Sequence, residues 1–477
     1  MSELKDLKQA MLGAGGEQSV AEQHKAGKQT ARERVTALLD PESFVEVGMF
    51  ASGVVTGFGT VEDRPVYVYA QEYAMDFGAM DAAQADKIVR IMDLAVKTGA
   101  PVVALLDSAG ADLTKGVSAL DAYARIMAKT AQISGVVPQI SVIAGPCAGG
   151  ATAIPAMGDF VVAANTAEMF VTGPQVVSAR TGKDISAKEL GGAETLDANG
   201  LAHLCAASEA EAFAQVRRLI ALLPANNEED APMLMQDDLN RQLDIDSYYD
   251  AHDLLARVAD FGDYLELQKG FGKSMVAALG RLGGRSVGFL ANNPAQEDGA
   301  LNDQACQKAA RFVRMCDCFN IPVISFVNTA GQGTVTACEN AKAIKGSAQL
   351  IGAYAEASVP KVSVISGQAI GSAYAAMGSR GLGADMVLAW PKAVIAPMDA
   401  DAAVYVLQRD AIKDGQDVEE LKAAYQKDND GFAAAKAGLV DDVIEPAATR
   451  QMVAAALEML LGKREVALPK KHANLPL

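Results

Sequence analysis

The chain has 477 residues, 50% of them apolar, and 42 Lys and Arg against 59 Asp and Glu, a formal net charge of −17. That length can bury two cores of about 220 residues each. The acidic balance excludes nucleic acid or an anionic membrane as the main partner, since both need a basic footprint. Cysteines at 147, 205, 306, 316, 318 and 338 form no C-x-x-C pair and no His-supported zinc pattern. No metal is therefore expected, and the thiols read as reduced packing residues of a cytoplasmic protein. No apolar signal core opens the chain, and the most apolar region, near 134–165, is broken by Pro138, Pro146, Pro155 and Asp159.

In chain order, residues 18–40 carry a charged helical pattern that includes Glu22, Lys25, Lys28, Arg32, Glu33 and Arg34. Strands are predicted at 44–48, 53–60 and 65–71. A helix at 82–98 leads to a strand at 101–107, and a helix at 117–134 leads to a strand at 139–144. A Gly turn then opens a helix, and 159–164 reads as the next strand. Residues 224–246 are polar, with two prolines and few periodic apolar positions, and read as a linker. The order returns beyond it: helix 304–319, strand 321–327, helix 339–356, strand 361–366, a second Gly turn, strand 385–390. The stretch 403–462 is helical except near 438–446. Short β-branched runs alternating with longer helical patterns predict an α/β fold with largely parallel sheets. The domain boundary is placed between 1–235 and 236–477.

The chain repeats itself. Gly145-Pro146-Cys147-Ala148-Gly149-Gly150-Ala151 returns as Gly367-Gln368-Ala369-Ile370-Gly371-Ser372-Ala373, an offset of 222 from Gly149 to Gly371. Phe44–Glu46 returns as Tyr264–Glu266, Arg64 as Arg285 and Pro101 as Pro322, at offsets of 220 or 221. Each Gly turn follows an apolar strand and opens a helix, whose first N–H groups have no intrahelical acceptor and can face an anionic oxygen. The alternative is glycine that merely lets strand and helix pack closely. The duplication favours two oxyanion sites at Gly149, Gly150, Gly371, Ser372 and Ala373. Second loops, Ala109-Gly110-Ala111 after strand 101–107 and Ala330-Gly331 after strand 321–327, lie at the carboxyl ends of strands, where ligands of parallel sheets bind. Either they add donors or they are simple turns.

Other signals are weaker. Gly270-Phe-Gly-Lys273-Ser274 resembles the end of a P-loop, but Leu267 stands at the required earlier glycine. No dinucleotide fingerprint follows a strand. The histidines are 24, 203, 252 and 472, none within 20 residues of a Gly turn, which argues against a histidine-driven hydrolase. His203 reads as a satisfied packing histidine. Lys28, Arg32 and Arg34 are candidates to grip a phosphate or pyrophosphate, the alternative being a solvated helix face.

From about 22 to 460 the chain resembles the carboxyltransferase subunits of biotin-dependent acyl-CoA carboxylases, transcarboxylases and decarboxylases, especially the propionyl-CoA carboxylase β type. The resemblance rests on His24…Gly27-Lys28…Thr30–Arg34, Gly135–Ile140, Gly145–Ala151, Thr172-Gly-Pro174 and Glu189–Ala193. It continues in Lys308–Val313, Ala353–Ala357 and Ala389-Trp-Pro391. It implies two tandem crotonase-like domains, an acyl-CoA side in the first and a biotin side in the second, with active sites formed between chains of a homo-hexamer or homo-dimer. It further implies that Gly149 and Gly150 hold the thioester oxygen, and that Gly371, Ser372 and Ala373 hold the ureido oxygen of biotin. Biotin would arrive on a separate carboxyl carrier protein, with a biotin carboxylase or membrane decarboxylase subunit as further partner, because no Met-Lys-Met site or ATP motif is present. The family's Asp-Ser-Gly-Gly-Ala-Arg loop reads Asp107–Asp112 here, ending in a carboxylate, and its Val-Pro-Gly-Phe-Leu-Pro-Gly loop reads Asn328–Thr334. Its Gly-Gly-Ala-Tyr-Asp turn reads Gly371–Ala375, with Ala375 at the acyl pocket, and its Gly-Gly-Ser-Leu-Gly segment reads Phe77–Asp81, with Gly78 near the N-terminal pocket. Three readings remain open: a carboxylase subunit, a malonyl- or methylmalonyl-CoA-type decarboxylase subunit, and a non-catalytic CoA-binding assembly subunit.

Overall fold

A computed structural model describes residues 2–13, 15–51, 53–245, 249–332, 341–466, 468–472 and 474. Asp246, Gly333, Thr334, Cys338 and the start of the helix expected at 339–356 lie outside the described residues. The chain divides into two compact units, Met1–Asp230 and Ala231–Leu477.

In unit 1 the strands are β1 (Val45–Glu46), β2 (Val54–Val61), β3 (Arg64–Gln71), β4 (Val102–Ser108), β5 (Gln139–Ala148), β6 (Phe160–Ala163), β7 (Glu168–Phe170) and β8 (Leu204–Cys205). They lie in the order β1-β2-β3-β4-β5-β6-β8, and β7 pairs with the far end of β5. Unit 2 repeats this with β9 (Tyr264–Leu267), β10 (Met275–Leu282), β11 (Arg285–Asn292), β12 (Val323–Thr329), β13 (Lys361–Ile370), β14 (Met386–Ala389), β15 (Val394–Ala396) and β16 (Asp442–Val443). The order is β16-β14-β13-β12-β11-β10-β9, with β15 on β13. The hairpins β2–β3 and β10–β11 are antiparallel, and pairing from β3 to β6 and from β11 to β14 is parallel.

Local sequence explains the helices that cover these sheets. Asp81 caps Ala82–Thr98 by accepting from the Gln84 N–H, and Gly99 ends it at φ 64°, where glycine carries no Cβ penalty. Ala85, Ile88, Ile91, Met92 and Ala95 fall on one face of that helix and are buried against the sheet. Asn302 caps Asp303–Cys318 in unit 2 in the same way. Its spacing by two buries Cys316 and exposes Cys318. Trp390 is the largest fully buried side chain of unit 2; its Nε1–H donates to Thr449 Oγ1 at 2.9 Å.

The helix expected over 18–40 is two helices, Glu17–Lys25 and Ala31–Leu38. Gly27 sits at φ 74°, and a Thr30–Glu33 capping box starts the second helix, so a local start signal overrides the charge pattern. β7, β8 and β15 are too short for alternation to register and went unpredicted.

His252 lies between two carboxylates, Asp250 at 2.5 Å and Glu266 at 3.2 Å. Hydrogen bonding to Glu266, against the cost of burial and with help from Asp250, raises its pKa to about 9. A raised folded-state value means this pairing stabilises fully below the unfolded value near 6.5, and the contribution fades as pH rises through about 9. An NMR titration is expected to find the His252 ring still protonated at pH 8; a midpoint near 6.5 would contradict the pairing.

Candidate active site

Each Gly turn sits where a central parallel strand leaves its sheet. β4 and β5 pair regularly to Leu106–Ile143, then shift register so that Ser108 faces Cys147. β12 and β13 shift at the same place, from Val327–Ile365 to Thr329–Ala369. The irregularity lets the strand ends splay and aim the following turn. Gly149 and Gly371 then adopt φ 65° and 63°, which a residue with a Cβ adopts only under strain. Gly150 and Ala151 follow in unit 1, Ser372 and Ala373 in unit 2, at the first turn of a short helix. Gly150 and Ser372 are exposed; Ala151 and Ala373 are buried.

The second loops lie against these turns. A Cβ on Gly110 would stand 3.2 Å from the Ala148 carbonyl oxygen, and one on Gly331 would stand 3.8 Å from that of Ile370. Their backbone is held in matching ways. Ala109 N–H donates to Phe77 O (2.9 Å) and Ala330 N–H to Asp298 O (3.1 Å). Gly110 N–H donates to Ser108 Oγ and Gly331 N–H to Thr329 Oγ1, both at 3.1 Å. The N–H groups of Ala109, Gly110, Ala330 and Gly331 are thus engaged by their own chain. The bridge from Met80 uses the Gly110 carbonyl and the Asp112 N–H, which leaves the Ala111 N–H outside it.

Gly78 is a buried close-approach glycine: φ is 63°, and a Cβ would meet the Asp107 carbonyl oxygen at 2.3 Å. Gly299 repeats this against Asn328 at 2.2 Å. Ala375 is exposed beside half-buried Tyr374 on the helix Ser372–Ala376. Asp112, where the family carries arginine, turns to its own backbone and accepts from the Thr114 N–H at 2.9 Å.

The basic residues read as a phosphate grip are placed otherwise. Lys28 Nζ contacts both carboxylate oxygens of Asp107, at 2.9 and 3.1 Å, and stacks over the Tyr73 ring. Arg34 is fully buried; it reaches Asp107 at 2.8 Å and Glu209 at 2.7 and 3.1 Å, and donates to Ala144 O. Gln23 Nε2 supplies another donor to Asp107 at 2.9 Å. Arg32 pairs with Glu46. Each of these cations is paired with a carboxylate of its own unit, as a buried cation needs a buried counter-charge. Unit 2 has a neutral version. Tyr249 replaces Lys28 and Asn328 replaces Asp107, both at an offset of 221. Asn328 Oδ1 accepts from the Gln368 N–H at 3.0 Å, a donor that Pro146 lacks in unit 1, and Tyr249 bonds Ser366. Sequence reasoning missed Asp107, Glu209, Tyr249 and Asn328 as a matched set, although the constant offset could have paired them.

His203 is a buried packing histidine whose Nδ1 accepts from the Val161 N–H at 3.0 Å. No cluster suited to a metal ion occurs among the described residues, and none of their helices is long and apolar enough to cross a membrane.

Comparison with known proteins extends over the whole chain. The Carboxyl transferase domain family matches residues 22–475. The propionyl-CoA carboxylase beta chain of Saccharopolyspora erythraea is 43% identical over 97% of this chain and 93% of the relative. The methylmalonyl-CoA decarboxylase subunit alpha of Veillonella parvula is 42% identical, covering 97% of this chain and 96% of its own length. Among solved structures, the transcarboxylase 12S hexamer with methylmalonyl-CoA and methylmalonic acid bound superimposes with a TM-score of 0.95 at 41% identity, over 100% of this chain and 98% of that one. A family match over residues 22–475 and a fold shared at a TM-score of 0.95 lead to one conclusion: this chain belongs to the carboxyl transferase domain family.

Proposed function

We propose that the chain is the carboxyltransferase component of a biotin-dependent enzyme, moving a carboxyl group between biotin and the α-carbon of an acyl-CoA. The observation that carries this reading is the full-length family match combined with two Gly turns of one geometry, each beside a second loop of one geometry. Gly149, Gly150 and Ala151, with the Ala111 N–H, are assigned to the thioester oxygen as it becomes an enolate. Gly371, Ser372 and Ala373 are assigned to the ureido oxygen. The polar groups at the second turn are an amide backbone, a serine hydroxyl and the Gln332 carboxamide, all neutral, which suits an uncharged carbonyl that gains charge only during reaction. Biotin supplies the carboxyl group and the nitrogen that takes the α-proton. The chain's own task is to orient the two oxygens and donate to them, and no histidine is needed at either turn.

Biotin arrives in this proposal on a separate carrier protein, in a cytoplasmic homo-oligomer joined by a biotin carboxylase or a membrane decarboxylase subunit. Relatives at 43% and 42% identity include a carboxylase and a decarboxylase, so both directions belong to the reading. The matched backbone of the turns and second loops in the two units supports a catalytic chain over an assembly subunit. Pure protein incubated with free biotin and malonyl-CoA or methylmalonyl-CoA is expected to remove the thioester's carboxylate. No turnover, with CoA thioester binding intact and a homologous chain co-purifying, would instead establish the assembly role.

A further inference from the structure

The two turns differ in one chemical respect. Unit 1 places Gly150 after the left-handed glycine, and unit 2 places Ser372 there, an offset of 222. The neighbouring loop differs in the same place: Ala111 in unit 1 corresponds to Gln332 in unit 2, an offset of 221. The two unit-2 side chains meet. Gln332 Nε2 lies 3.0 Å from Ser372 Oγ and 3.0 Å from Ser347 Oγ. Ser347 is buried on the helix Ala341–Glu356, Gln332 is half-buried and Ser372 is exposed.

A carboxamide nitrogen carries two protons and no acceptor lone pair, so one proton goes to each serine oxygen. Ser347 is the buried anchor. Thr329 fixes the start of the arm, since its hydroxyl accepts from Gly331 N–H at 3.1 Å and donates to Gly331 O at 3.0 Å. Ser372 Oγ therefore accepts from Gln332, and its single proton is left to donate elsewhere. It is presented at the same exposed position from which the Ser372 N–H emerges.

We propose that the Ser372 hydroxyl is a side-chain donor to the ureido oxygen of biotin, and that Gln332, anchored on Ser347, is the positioning residue that turns its proton outward. The proposal rests on the assignment of the unit-2 turn to biotin. It makes the sites unequal: the acyl-CoA turn works with backbone N–H groups alone, while the biotin turn adds a hydroxyl where charge gathers as the carboxyl group leaves.

The test uses the full chain, with free biotin as the probe. Biotin affinity is measured by calorimetry, acyl-CoA affinity separately, and carboxyl transfer from methylmalonyl-CoA to biotin as kcat and KM. Ser372→Ala is expected to weaken biotin binding about 5-fold and to lower kcat roughly 10- to 100-fold, with acyl-CoA affinity unchanged. Ser372→Thr keeps the hydroxyl and is expected to restore most of the loss. Gln332→Glu keeps size and reach but exchanges a donor for an acceptor, so it draws the Ser372 proton inward. It is expected to match Ser372→Ala in both readouts and to add nothing in the double variant, which a merely structural glutamine would not do. Wild-type biotin affinity and kcat in Gln332→Glu, or in Ser372→Ala, would overturn the inference while leaving carboxyl transfer standing. Wild-type protein that binds acyl-CoA yet neither binds biotin nor transfers carboxyl would overturn the functional reading, and this inference with it.

Discussion

Gly150→Pro is expected to lower the kcat of carboxyl transfer by about 10²- to 10³-fold, the usual cost of losing one oxyanion donor. The substitution removes an N–H and little else. Gly150 is not among the residues at positive φ, and it stands at the first helical turn, where proline is well tolerated. A Cβ there would meet Met127 Cε and Tyr123 Cγ at 3.7 Å, ordinary contact distances. The residue before it is Gly149, which has no Cβ to meet the proline ring, so only the part of the restriction that comes from its N–H remains. Unfolding free energy in urea is therefore expected to stay within about 1 kcal/mol of the parent. Gly150→Ala, which keeps the N–H, is expected to lose far less activity than the proline variant. Equal losses in the two variants would assign the defect to crowding and remove the turn from the thioester site.

Asp107→Ala is expected to destabilise unit 1 by about 3–5 kcal/mol, the cost of leaving a buried ionic partner uncompensated. The carboxylate is completely buried and receives Lys28, Arg34 and Gln23. Removing it strands a lysine and half the pairing of an arginine in the interior, and it empties the shelf on which Gly145 rests: a Cβ at Gly145 would already stand 2.1 Å from Asp107 Oδ1. Asn328→Ala, in the neutral counterpart, is expected to cost only about 1–3 kcal/mol, since no charge is stranded. Asp107→Asn combined with Lys28→Tyr copies the unit-2 pair and is expected to lose less than either change alone. Urea unfolding, followed by amide exchange in the unit that carries each change, measures these five variants. Asp107→Ala unfolding like the parent would show that the cluster carries no stability.

Much of this arrangement was legible in the chain itself. The repeat at offsets of 220 to 222 announced two similar units, and largely apolar runs such as 101–107 and 321–327 announced central parallel strands, because strands covered on both faces read as near-continuous apolar sequence. The Gly turns were legible because only glycine relieves the left-handed backbone that Gly149 and Gly371 adopt. The break after Lys25 was written in Gly27 and in the Thr30–Glu33 box, but a row of charges masked it.

Local sequence determined the longer strands, the helix caps and the two turns, because backbone conformation and capping depend on residues a few positions apart. Tertiary structure decided which groups remain available to a ligand. Lys28 and Arg34 look like free cations until Asp107 and Glu209, distant in the chain, arrive beside them. Ala109 and Ala330 look like donors until Phe77 and Asp298 accept their N–H groups. Ser372 differs from Gly150 by one side chain in the sequence, and only the fold brings Gln332 and Ser347 together to orient it. Whether a polar group is free is a property of its partners in space, and those partners come from strands and loops that the sequence holds far apart.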